Sequence, residues 1–101
     1  MSFDMSSVPP EFRTDLQKAS EILRTFGAKE IYLFGSLADP ERDHQPEDID
    51  IGVSGLPDEV FFRTYGELLG VPDHRFDLVD LDFDSPFVRK LREHGHLERV
   101  V

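Results

Sequence analysis

The chain has 101 residues, enough for one small folded unit and not for two. Its 39 % hydrophobic and 32 % charged content is a globular balance, and no stretch approaches the roughly 18 apolar residues of a membrane helix. A formal net charge of -10 argues against a nucleic-acid partner, whose phosphates are held by clustered Lys and Arg.

Residues 1–9 read as a flexible N-terminal tail ahead of a single domain, 10–101. That tail begins with an acid where a secretory signal has basic residues, and it has no apolar run. With no Cys in the chain, a cytoplasmic protein is expected. Pro10 opens a helix that runs to about Phe26, with Phe12, Leu16, Ala19, Ile22, Leu23 and Phe26 on one face and Gly27 as its stop. Glu30 to Phe34 is a short apolar run of strand type that ends in Gly35-Ser36. A polar loop from Leu37 to Glu47 follows. Asp48-Ile49-Asp50-Ile51-Gly52-Val53 then alternates acid and apolar residues, the period of a strand with one buried face.

Beyond a break at Ser54-Gly55-Leu56-Pro57, a second helix is expected from about Asp58 to Leu69, with Val60, Phe61, Leu68 and Leu69 as its apolar side. Gly66 weakens its middle. Arg75 to Leu81 reads as a third strand. Ser85-Pro86 is an N-cap followed by proline at the first helical position, which opens a third helix to about His94. The last six residues have the character of one more short strand. The expected class is α/β (α+β): a small mixed sheet flanked by helices, in the order α-β-β-α-β-α.

The acidity is focused. Asp39 to Asp50 and Asp73 to Asp84 together hold 11 of the 21 acids and only 2 of the 11 bases. Strand alternation puts Asp48 and Asp50 on one face and Ile49 and Ile51 on the other. Carboxylates at that spacing repel unless a cation sits between them, and hard oxygen ligands suit Mg²⁺. Asp77, on another strand, is a third candidate if the two strands are neighbours. Three carboxylates can hold two metal ions in phosphoryl transfer, whereas an acidic solvent face is the plainer alternative. Gly35-Ser36, at the end of a strand, offers backbone N–H groups and a hydroxyl to a phosphate.

Taken together, Leu33-Phe34-Gly35-Ser36, then eleven residues, then Asp48-Ile49-Asp50-Ile51, and later Phe76-Asp77-Leu78-Val79 resemble the minimal nucleotidyltransferases of the DNA polymerase beta-like superfamily. The resemblance runs from the first helix to the third. It implies that Gly35 and Ser36 hold nucleotide phosphates, that Asp48 and Asp50 bind two Mg²⁺ ions, and that Asp77 completes the metal site and activates the attacking hydroxyl. The implied reaction is attack of an acceptor hydroxyl on the α-phosphorus of ATP. In this family single-domain members resemble antitoxins, which transfer AMP to a tyrosine of a helical HEPN ribonuclease toxin. One alternative is a non-catalytic antitoxin that keeps the fold and sequesters its partner. Many relatives carry Arg shortly after Gly-Ser, where this chain has Leu37; Arg42 and His44 are the nearby replacements.

Other features have plainer readings. Asp80 is the rival of Asp77 but falls on the opposite strand face, and Asp82 and Asp84 read as loop acids. His94-x-His96 and His74 are expected at the surface rather than as ligands, and Arg89, Lys90 and Arg92 as a solvated helix face. Phe61, Phe62 and Tyr65 exceed what one buried helix face needs, which leaves room for a partner or a second copy.

Overall fold

The computed structural model describes residues 8–35, 48–71, 75–95 and 97–100. Its elements are α1 (Pro10–Thr25), β1 (Glu30–Phe34), β2 (Asp48–Ser54), α2 (Asp58–Leu69), β3 (Arg75–Asp80), α3 (Pro86–His94) and β4 (Glu98–Arg99). The four strands form one mixed sheet in the order β3-β2-β1-β4. β1 is antiparallel to both β2 and β4, and β2 is parallel to β3. A parallel pair needs a crossover, and α2 supplies it. The expected mixed α/β architecture is therefore the one observed.

Local chemistry sets the element ends. After α1, the N–H of Gly27 donates to Arg24 and that of Ala28 to Leu23, each at 3.0 Å, with Gly27 at φ 111°. This is the Schellman ending, which needs a left-handed residue just past the helix. At α3 the Ser85 hydroxyl accepts the Val88 N–H at 3.2 Å, and Pro86 fills a first-turn position where no N–H is needed.

The main core lies on one face of the sheet. Leu16, Ala19 and Leu23 from α1 meet Ile31, Leu33, Ile49, Ile51, Val53 and Phe76 from the strands, with Leu68 of α2 closing the layer. Val8 belongs to this core and is fully buried, and the Arg13 side chain donates to its carbonyl at 2.8 Å. The packed body thus starts two residues earlier than the tail boundary read from the sequence; residues 1–7 lie outside the described ones. A second correction concerns α2. Leu69 is exposed, and Thr64 takes a buried place, its hydroxyl donating to the Val60 carbonyl at 2.7 Å. Helical geometry explains the exchange: Val60, Thr64 and Leu68 are successive i, i+4 neighbours on one stripe, and Leu69 falls beside it.

The opposite face carries a smaller apolar patch. Phe34 and Phe87 of α3 meet edge to face at 6.3 Å between ring centres. Leu81 lies over Gly52, where an added Cβ would stand 2.8 Å from Leu81 Cδ1. Glycine at position 52 lets the chain after β3 close down on the sheet. Among the described residues no helix is long and apolar enough to cross a membrane.

Candidate active site

The register of the sheet assembles the site. Phe34 stands opposite Asp50 across the β1–β2 pair, and Asp50 stands opposite Asp77 across β2–β3. One step along, Asp48 stands opposite Arg75. Residues in register share a face, so Asp48, Asp50 and Asp77 line up together on the side away from the main core. Their neighbours Ile49, Ile51, Phe76 and Leu78 point the other way and are buried. Adjacency of the two strands, left conditional by the sequence, is what joins Asp77 to the pair.

The three carboxyls feel one another. The Asp50 carboxyl is pushed up from 3.8 to about 6, first by burial, then by the charge of Asp77 and a hydrogen bond shared with it, and last by the charge of Asp48. Acids this close cannot all ionise cheaply without a counter-charge. Arg75, exposed at the end of the row, is a cation that the register sets beside Asp48.

Gly35 closes the site from β1. It has φ 72°, a left-handed conformation, and it lies directly against the Asp50 side chain. An added Cβ would overlap Asp50 Oδ2 and stand 3.2 Å from its Cγ. Both the turn and the approach therefore require glycine here. Ser36, its expected companion, lies outside the described residues, as do Leu37, Arg42, His44, His74, His96 and the side chain of His94.

The structure separates the other acids from the row. Asp80 is on the opposite alternation, and its Oδ1 accepts the Asp82 N–H at 3.0 Å. Asp82 is a loop acid as expected, and it also has a defined task. It accepts the Ser54 hydroxyl and the Gly55 N–H, each at 2.7 Å, which ties the end of β2 to the loop after β3. These bonds, the Gly55 N–H foremost, hold its carboxyl below the usual carboxylate range. Asp84 pairs with Arg89 at 3.2 Å, and Arg92 donates to the Leu81 carbonyl at 2.9 Å, so the basic face of α3 is partly engaged. The Asp82 clasp was missed in the sequence, although Ser54-Gly55 at a strand end did advertise two donors in need of an acceptor.

Among the described residues no group of three His, Cys, Asp or Glu side chains forms a preformed metal cage. Mg²⁺ does not demand one, since it binds through one or two carboxylates and keeps positions for water and substrate phosphate. An all-oxygen donor set with a half-buried carboxyl pair carrying excess negative charge fits that ion.

No family model and no curated protein matches the chain in sequence. Among solved structures, the fold is shared with a chain of a crystal structure of the MntA–HpeT toxin–antitoxin pair, determined as a double aspartate-to-glutamate mutant. The two chains are 24 % identical with a TM-score of 0.61, over 84 % of this chain and 70 % of that one. The likeness is one of fold.

Proposed function

We propose that the chain is a Mg²⁺-dependent nucleotidyltransferase of the minimal type that transfers AMP from ATP to a hydroxyl of a partner protein, and that it serves as an antitoxin. The acceptor on this reading is a tyrosine of a HEPN-type ribonuclease toxin. The observation that carries it is the in-register row of Asp48, Asp50 and Asp77 beside Gly35. The fold neighbour supports it in two ways. That chain belongs to a crystal structure of a toxin–antitoxin pair, and the two aspartates exchanged in that structure are two positions apart, the spacing of Asp48 and Asp50.

Asp48, Asp50 and Asp77 would hold two Mg²⁺ ions, which supply charge neutralisation at the phosphates when bound. Gly35 and Ser36 bind the phosphates of the nucleotide. Asp77 takes the proton of the acceptor hydroxyl as its oxygen bonds to the α-phosphorus. The bond from the α-phosphorus to the bridging oxygen breaks, and pyrophosphate leaves. The chain contributes position and electrostatics and forms no covalent intermediate of its own.

The test is transfer of label from α-labelled ATP in a lysate of the source cells with Mg²⁺. One labelled protein is expected, and the label is lost with the Asp48→Asn/Asp50→Asn variant. Label on RNA would overturn the protein acceptor. No label on any species, with a partner still captured in equal amount, would favour the non-catalytic antitoxin that Leu37 after Gly-Ser suggests.

A further inference from the structure

Among the described residues, three phenylalanines stand in water on one side of the molecule: Phe62 is 83 % exposed, Phe83 67 % and Phe87 54 %. All three line a groove of about 500 Å³ between the first turns of α2, the β3 strand and the start of α3. Val79 of β3 also lines it, as do two acids, Asp58 and Asp80. No Lys or Arg is among its described lining residues. Grouped exposed aromatics around a concavity mark an interaction surface, because large apolar patches are otherwise kept out of water.

The groove adjoins the acid row. Val79 follows Asp77 by two residues and therefore shares its strand face. Phe87 packs on Phe34, which is in register with Asp50. β3 is also an edge of the sheet. Through Val79 and Phe87 the groove therefore lies next to the acid row without including it.

Charge selects the occupant. A second copy would bring Asp58 and Asp80 against acids of another molecule with a net charge of -10, which opposes association. A nucleic acid would find no Lys or Arg among the described lining residues for its phosphates. An apolar segment flanked by Lys or Arg satisfies both the aromatic and the acidic lining residues. We infer that this groove docks a basic amphipathic helix of the protein partner and so delivers the acceptor hydroxyl to the acid row. The delivery step rests on the function proposed above; the docking itself requires neither ATP nor Mg²⁺.

The test uses a synthetic amphipathic helical peptide of Leu and Lys, with a Leu/Glu peptide as control, and follows the protein's amide resonances. The Leu/Lys peptide is expected to bind and to shift Phe62, Val79, Phe83 and Phe87, with the control silent. Phe62→Ser and Phe83→Ser, each exposed enough to leave the melting temperature unchanged, should weaken binding by roughly tenfold. Binding that survives both variants, shifts located elsewhere, equal binding of the Leu/Glu peptide, or self-association through the groove would each overturn the proposal. Against a purified protein acceptor, the same variants should raise its KM and leave Mg²⁺–ATP protection intact. If transfer itself fails in the wild type, the peptide result still decides the docking claim.

Discussion

The two faces of the sheet are made from alternate residues of the same strands and have opposite effects on stability. Ile49, Ile51, Phe76 and Leu78 are taken out of water under α1 and α2, and that burial drives folding. Asp48, Asp50 and Asp77 on the reverse face crowd like charges together, which opposes folding while no cation is present. The difference teaches where selection for stability stops. A half-buried acid with a raised pKa does not stabilise the fold, and the proposed function gives it a cation to bind.

The largest effect should come from breaking the apolar face. Phe76 is 1 % exposed, and Phe76→Ala should cost about 3–5 kcal/mol in urea unfolding, through lost burial and the cavity left behind. Such a loss is a large part of what a domain of this size has to spare.

The acid face should respond with the reverse sign. The folded Asp50 carboxyl has a pKa above its ordinary 3.8, so the folded state holds the proton more tightly than the unfolded one. Its cost is absent below about pH 4, develops as pH rises towards 6, and is complete above that. Asp50→Asn should therefore stabilise the metal-free protein at pH 7 by about 1–2 kcal/mol, a figure reduced for its half exposure, and by almost nothing at pH 4. Paired unfolding curves at the two pH values check this. Nucleotide transfer should be lost in the same variant.

How far the sequence showed these two faces depends on the range of the interactions involved. Alternation is local, so the opposed positions of Asp48 and Asp50 against Ile49 and Ile51 were legible. The caps were legible too: Ser85-Pro86 opens α3, and Gly27 ends α1 one residue after the closing turn. The strand order β3-β2-β1-β4 was not legible, because pairing is decided by contacts far apart in the chain. The register that sets Asp77 opposite Asp50 was hidden for the same reason. Val8 was misplaced because a single apolar residue ahead of a proline pair carries no periodic signal. Gly52 did carry one, since glycine inside a strand marks a close approach, but Leu81 as the approaching group could not be named.

A smaller effect belongs to the Asp82 clasp, which ties the end of β2 to the loop after β3. Asp82→Ala should destabilise by about 1 kcal/mol and speed amide exchange at Gly55. Because the folded carboxyl lies below its ordinary range, the stabilisation it gives is present at neutral pH and is lost as pH falls through that lowered value. The smallest effect should come from the exposed aromatics. Phe62→Ser should leave unfolding within about 0.5 kcal/mol of the parent, since its ring is left in water already.

The most direct test of the acid row is thermal melting with and without Mg²⁺–ATP at pH 7, comparing the parent with Asp50→Asn. A ligand that binds only the folded state raises its stability. The parent should melt higher with Mg²⁺ and ATP together than with either alone, and Asp50→Asn, although more stable to begin with, should not respond. Equal protection of both proteins, or none in the parent, would contradict the assignment of this face to a metal–nucleotide site.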